Sequence, residues 1–191
     1  KQLLPGYDVF DEDRYFEPGE SSCVVDIDGH RVGIAICEDL WQGGDAGASS
    51  RYDHDPIAAI VSEGCSVIVV PSATPFVTGK RCRHIEQLMD TAAAHNVAIA
   101  MVNQLGANDD LIFDGGAMAA GPQGLLLDAA PFESASATVD TSGTPVQARD
   151  VSDMDMRYRA LVLGLGDYCG KTGHDCVLLG ISGGIDSALV A

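Results

Sequence analysis

Basic residues are scarce in this sequence. Its 11 lysine and arginine residues face 28 aspartate and glutamate residues, which gives a formal net charge of −17. Because phosphates repel a surface of that charge, the composition argues against a nucleic-acid partner. The acidic excess says little about small anionic ligands, which respond to the local field of a pocket.

Long apolar runs are also missing, and none approaches the roughly 18 to 20 residues that a membrane-spanning helix needs. We therefore expect no membrane partner. The six cysteines form no Cys-x-x-Cys pair and do not cluster with histidines, so the sequence indicates neither a zinc site nor a disulfide framework. Free thiols in this pattern predict a reduced, cytoplasmic setting.

Apolar residues are nevertheless numerous enough to form a core, since 46% of the 191 residues are hydrophobic and 20% are charged. The length accommodates one full domain and part of another. The chain opens on Lys1 and closes on the helical pattern SALVA. We therefore expect it to be an internal piece of a longer protein.

Predicted strands and helices alternate along the first two thirds of the chain, which favours a layered α/β sandwich. The predicted strands are 22–27, 31–37, 66–70, 97–102, 111–113, 117–120 and 125–127, the predicted helices are 56–63 and 80–95, and 42–55 is a predicted loop. In the second helix Ile85, Leu88, Met89 and Ala92 lie on one stripe.

The composition changes after residue 130, where serine, threonine, proline and alanine replace large apolar residues. We predict a first domain over 1–130, a linker over 131–153 and the start of a second domain over 154–191. The second domain is predicted to contain a helix over 156–168, a buried strand over 176–181 and a helix that begins in the final segment SGGIDSALVA.

Cys37 stands at the end of the strand pattern in VGIAICEDLW, residues 32–41. A cysteine at a strand end can be tuned for nucleophilic attack, and the reactive form is the thiolate. A free cysteine is also a common small core residue. The sequence pattern around Cys37 alone leaves both interpretations open.

The segment GISGGIDS, residues 180–187, joins the predicted strand to the final helix. Its members Gly180, Ile181, Ser182, Gly183, Gly184, Ile185, Asp186 and Ser187 form a candidate phosphate-binding loop. Glycines permit a tight turn whose N–H groups converge on phosphate, and an aspartate can hold Mg²⁺. The segment is not a Walker A loop, because no lysine follows the second glycine. A purely structural Gly-Gly turn is the alternative.

Four segments resemble glutamine-dependent NAD synthetases in the order that this family has them. They are KQLLPGYDVFDEDRYFEPGE, GIAICEDLW, VPSATPFVTGK and VNQLGANDDLIFDGG. The glutaminase part of that family belongs to the nitrilase superfamily, and SGGIDS resembles the pyrophosphate loop of N-type ATP pyrophosphatases. The resemblance implies an α/β fold: a nitrilase-like αββα sandwich, followed by the truncated start of a Rossmann-like domain of the adenine nucleotide α-hydrolase type.

The same resemblance implies a ligase. Glutamine would be hydrolysed to glutamate and ammonia, and deamido-NAD would be amidated through an adenylate formed from ATP, with release of AMP and pyrophosphate. Cys37 would be the nucleophile and Lys1 its cationic partner, and Asp186 would bind Mg²⁺. The third triad member, a glutamate, should lie upstream of Lys1. The resemblance also implies a homo-oligomer.

Three residues match the family's glutamine-binding positions: Tyr7, Thr74 and Lys80. The family usually has serine where Thr74 stands, and Lys80 and Lys1 have the alternative of being solvated. Asp109, Asp110 and Asp114 are expected to be structural, with ammonia transfer as the other possibility. A stand-alone nitrilase-type amidase and a catalytically inert fragment remain alternatives to the synthetase.

Overall fold

The chain folds around a six-stranded mixed sheet, in a computed structural model that describes residues 1–41 and 52–191. The sheet has the order β1-β2-β3-β4-β7-β8, and β5 and β6 pair in a separate two-stranded sheet. The strands are β1 (Cys23–Ile27), β2 (His30–Ile34), β3 (Val67–Ser72), β4 (Ala98–Asn103), β5 (Leu105–Asn108), β6 (Leu111–Asp114), β7 (Met118–Gly121) and β8 (Gly124–Asp128).

Two helices cover the sheet and close the core. The α-helices within residues 1–41 and 52–191 are α1 (Glu38–Trp41), α2 (Pro56–Ser62), α3 (Lys80–His95), α4 (Asp153–Thr172) and α5 (Ile185–Val190). Leu88 of α3 and Ile60 of α2 are buried in one cluster with Ile68 and Ile99 of the sheet. A Cβ atom at Gly33 would lie 2.2 Å from Ile60 Cγ2, so only glycine lets α2 approach β2 this closely.

The three central strands run parallel, and their carboxyl ends meet at one edge of the sheet. β2 pairs with β3 and β3 pairs with β4 in this parallel register. Beyond β2 the backbone continues the ladder, because Ala35 N donates to Val69 O and Cys37 N donates to Pro71 O, both at 3.1 Å. Cys37 therefore lies beside the end of β3.

Most of the predicted elements of the first domain are confirmed, including the β1–β2 hairpin and the helix over Lys80–His95. The predicted stripe of α3 faces inward, with Ile85, Leu88 and Ala92 buried and Met89 packed against the core. Among the α-helices and strands of the described residues, two were not predicted. α1 has only four residues, and β5 has the sequence LGAN, whose glycine and asparagine are poor strand formers.

The predicted strand over residues 176–181 is wrong. These residues form no strand and are exposed, with Leu178 at 99% exposure. A buried parallel strand needs a neighbour on each side, and no strand pairs with this segment within residues 1–41 and 52–191. The loop predicted over 42–55 lies largely outside the described residues, and only its last part, 52–55, is described.

Helix α4 is longer than predicted and packs against the β5–β6 hairpin. Ser152 caps its amino end and Gly173 ends it in the left-handed conformation. The Asp167 carboxylate accepts from Ala107 N at 2.7 Å, and Lys171 Nζ donates to Asn108 Oδ1 at 2.8 Å.

Among the helices of residues 1–41 and 52–191, none combines the length and the apolar character that a membrane-spanning helix requires. The domain boundaries at 130 and 154 stay predictions.

Candidate active site

Cys37 sits on a sharp turn between β2 and α1. Its φ is +49°, in the left-handed region that residues with a side chain seldom adopt. Such backbone costs about 1–3 kcal/mol and persists where the surroundings hold it, as at many functional sites. Here Cys37 N donates to Pro71 O at 3.1 Å, and Leu40 N donates to Cys37 O at 3.0 Å.

Burial raises the pKa of the Cys37 thiol, which is only 8% exposed. The Ala73 N–H, the Lys1 ammonium and the Ser72 hydroxyl act in the opposite direction, while the Glu38 carboxylate raises the pKa further. The raised pKa favours the protonated thiol, so attack on a substrate requires a base that removes its proton.

This environment predicts that alkylation of Cys37 by iodoacetamide reaches its half-maximal rate above the roughly pH 8.5 expected of a free cysteine. Iodoacetamide reacts with the thiolate, and burial disfavours that form. The rate is measured at Cys37 by peptide mass spectrometry across pH, with the urea-unfolded protein as control. A folded-state midpoint below the unfolded one would contradict the prediction.

Lys1 lies next to this turn and is held in place. Its side chain is 14% exposed and forms an ion pair with Glu12, and its carbonyl oxygen accepts from Gly19 N at 2.8 Å. The ammonium is close enough to lower the pKa of Cys37. The structure therefore brings the predicted cation and the predicted nucleophile together.

Tyr7 reaches the turn through Glu38, the residue after Cys37. Tyr7 Oη donates to the Glu38 carboxylate, at 2.8 Å to Oε1 and 2.9 Å to Oε2, and Tyr52 Oη donates to Oε1 at 3.1 Å. Glu38 is 3% exposed. Its two tyrosine partners hold the carboxylate beside the nucleophile, so it shapes the polar wall of the site.

Thr74 and Lys80 line one cavity together with Asn103 and Asp114. Thr74 N donates to Asn103 Oδ1 at 2.8 Å, and Asn103 Nδ2 donates to Thr74 O at 3.1 Å and to Asp114 Oδ1 at 3.0 Å. Burial raises the pKa of Asp114. Cys37 is not among the lining residues of this cavity, although Ser72 and Ala73 connect the two places along the chain.

Asp39 is a site residue that sequence reasoning missed. It is 3% exposed, and its carboxylate accepts three backbone hydrogen bonds: from Gln2 N and Leu3 N, both at 2.8 Å, and from Ile36 N at 3.0 Å. Two of these donors belong to residues 36 positions or more away in sequence. No local pattern reports such contacts, so only the folded chain reveals them.

The loop 180–187 lies on the exposed surface and closes on itself through two serines. Ser182 N donates to Ser187 Oγ at 3.2 Å, the two hydroxyls are 3.1 Å apart, and Ser187 Oγ donates to Gly184 O at 3.0 Å. Gly183 has φ +83°, a conformation that favours glycine. The Gly-Gly pair is thus used for a tight turn ahead of α5.

Within residues 1–41 and 52–191, no three histidine, cysteine, aspartate or glutamate side chains are grouped so that they could hold a metal ion. Asp109 occupies a left-handed position in the turn between β5 and β6. Asp186 is exposed in the first turn of α5. A single carboxylate of this kind suits Mg²⁺, which proteins often hold by one or two carboxylates together with substrate phosphates.

Comparison with known protein families places the Cys37 turn within a family match. The pattern of the carbon-nitrogen hydrolase family matches residues 2–147. The chain belongs to the carbon-nitrogen hydrolase family. The NAD synthase pattern matches residues 157–191 of the same chain, which include α5 and the loop before it.

The chain is also similar to glutamine-dependent NAD⁺ synthetases. It is 39% identical over 199 residues to that of a Synechocystis species and 41% identical over 201 residues to that of Xanthomonas campestris. These alignments include 100% of this chain but only 36% and 34% of the two relatives. The chain thus spans about a third of the length of these two relatives.

Solved structures confirm the predicted fold class. A glutamine-dependent NAD⁺ synthetase from Acinetobacter baumannii, in complex with ADP, matches 100% of this chain and 35% of its own, with a TM-score of 0.83 and 30% identity. A variant of a nitrilase-superfamily amidase from Nesterenkonia matches 69% of this chain and 45% of its own, with a TM-score of 0.52 and 24% identity. The second likeness concerns the fold alone.

Proposed function

We propose that the complete protein is a glutamine-dependent NAD synthetase, and that this chain carries its amide-cleaving site and its ATP loop. One observation carries the proposal. Cys37 lies on a strained turn within the field of Lys1, in a chain whose residues 157–191 match the NAD synthase family. A family of amide-cleaving enzymes and a family of NAD-forming enzymes thus meet in one polypeptide.

In the amide-cleaving half, Cys37 attacks the side-chain amide carbon of glutamine. The thiol proton passes to a general base, for which we propose a glutamate from sequence upstream of Lys1. Negative charge develops on the amide oxygen, and the Lys1 ammonium stabilises it together with a backbone N–H. Ammonia leaves as a thioester forms on Cys37, and water then hydrolyses that thioester to glutamate.

The glutamine itself would be held by groups around the turn. We assign Tyr7, Thr74 and Lys80 to this task. Thr74 and Lys80 line one cavity, and Tyr7 bonds the carboxylate of Glu38. Lys80 is suited to the carboxylate of the amino acid, and the Thr74 hydroxyl supplies a neutral hydrogen-bonding group. Their position beyond Ser72 and Ala73 would orient the amide end of glutamine toward the sulfur.

In the synthetase half, the loop from Gly180 to Ser187 would bind the phosphates of ATP. Its hydroxyls and turn N–H groups are suited to phosphate oxygens. Asp186 would hold Mg²⁺, which supplies neutralisation of phosphate charge. ATP would adenylate deamido-NAD with release of pyrophosphate, and ammonia would displace AMP to give NAD. We place the enzyme in the cytoplasm as a homo-oligomer.

The amounts of three products, NAD, AMP and pyrophosphate, test this proposal in the complete protein. Glutamine, ATP and deamido-NAD should give NAD, AMP and pyrophosphate in equal amounts, measured by chromatography and a coupled pyrophosphate assay. A stand-alone amidase would release ammonia from glutamine with no ATP-dependent pyrophosphate. An inert protein would show neither product, and it would also form no covalent adduct on Cys37 with a glutamine analogue.

A further inference from the structure

Asp39 joins two stretches of chain that are distant in sequence. Its Oδ1 accepts from Gln2 N and Leu3 N, both at 2.8 Å, and its Oδ2 accepts from Ile36 N at 3.0 Å. Gln2 directly follows Lys1, and Ile36 directly precedes Cys37. The two oxygens of one carboxylate therefore fix the backbone beside the cation and the backbone beside the nucleophile.

The turn at Cys37 depends on this support. Asp39 N donates to Ile36 O at 3.1 Å while Asp39 Oδ2 accepts from Ile36 N, so Asp39 holds both polar groups of Ile36. The next residue, Cys37, has the unfavourable φ of +49°. Backbone of this kind persists only where neighbouring bonds over-determine it.

We propose that Asp39 is a positioning residue of the amide-cleaving site, which sets the spacing between the Lys1 ammonium and the Cys37 sulfur. The inference rests on the proposed function. A buried carboxylate that merely stabilised the fold would satisfy any nearby N–H groups. The N–H groups that donate to Asp39 instead belong to residues next to Lys1 and next to Cys37. Both sets of N–H groups are held by the same short, rigid carboxylate.

Asp39→Asn tests the proposal because asparagine has the same size but only one acceptor oxygen. Its amide NH₂ must face either Ile36 N–H or the N–H pair of Gln2 and Leu3, so one of the two supports is lost. A misplacement of about 1 Å can cost 10²-fold in rate. We expect kcat for glutamine hydrolysis by the complete protein to fall by about that factor, with KM nearly unchanged.

Asp55→Ala is the matched control. Asp55 also accepts backbone N–H groups, from Ile57 at 2.9 Å and Ala58 at 3.0 Å, but it caps α2, and its ion-pair partner is His95 at the end of α3. Its loss should lower the Tm without changing kcat. The alkylation rate of Cys37 by iodoacetamide, measured in the same proteins, should change in Asp39→Asn and not in Asp55→Ala.

Each outcome decides between a positioning role for Asp39 and a purely structural one. A folded Asp39→Asn protein with unchanged kcat overturns the positioning role. A kcat loss matched by Asp55→Ala at an equal loss of Tm does the same. If Asp39→Asn shows no cooperative melt, Asp39→Glu keeps the charge but shifts the oxygens, and should still lose kcat. Failure of both to fold assigns Asp39 to general stability and also overturns the proposal. Absence of glutamine hydrolysis by the unaltered protein would instead refute the proposed function.

Discussion

Replacement of Cys37 by serine in the complete protein is expected to abolish NAD formation from glutamine and to leave NAD formation from added ammonia unchanged. A serine hydroxyl fits the same space but is a much weaker nucleophile at neutral pH, so the thioester does not form. Loss of a catalytic nucleophile lowers kcat by about 10³-fold or more. That factor corresponds to about 4 kcal/mol of transition-state stabilisation.

Both rates are measured as NAD formation at saturating ATP and deamido-NAD, with either glutamine or ammonium chloride as the nitrogen donor. Cys65→Ser is the matched control, because Cys65 is also 8% exposed and burial also raises the pKa of its thiol. It should leave both rates unchanged. Equal loss of the two rates in Cys37→Ser would show that the sulfur does not serve glutamine alone.

The parts of the fold that local sequence specifies were predicted well. Apolar periodicity predicted the α3 stripe, and the predicted strands 66–70 and 97–102 carry Ile68 and Ile99 in the core. The prediction of a strand over 176–181 was wrong, although it rested on the same kind of local apolar pattern as the correct predictions. Its apolar run satisfies the local pattern, but a strand forms only when other strands pair with it. A local apolar pattern therefore indicates which segments can form strands, and the presence of pairing strands decides which of them do.

The site was predictable where a motif carries the chemistry and not where long-range contacts do. Cys37 and Lys1 were predicted from the family resemblance of their segments, and in the structure the Lys1 ammonium is close enough to lower the pKa of Cys37. The burial that raises the pKa of Cys37 is a property of the folded core and has no local signature. Asp39 was missed although it lies two residues from the nucleophile, because its partners Gln2 and Leu3 lie in a different segment, 36 positions or more earlier in the chain.

Asp186→Asn is expected to stop NAD formation from both nitrogen donors, by about 10²-fold or more if the carboxylate helps to hold Mg²⁺ on the phosphates. Asparagine keeps the size of the side chain but removes the charge that a hard cation prefers. Because Asp186 is exposed, the change should have little effect on folding. The alkylation rate of Cys37 should stay the same, since the loop makes none of the contacts described at the nucleophile.

The metal dependence separates this role from a general effect of charge. Raising the Mg²⁺ concentration should restore part of the lost rate in Asp186→Asn, because added metal offsets weaker binding by mass action. Asp175→Asn is the matched control, since Asp175 is exposed on the segment that precedes the loop. It should change neither the rate nor its Mg²⁺ dependence. A loss in Asp186→Asn that is confined to glutamine, with ammonia-driven synthesis intact, would place the aspartate in the amide-cleaving half and remove it from the ATP site.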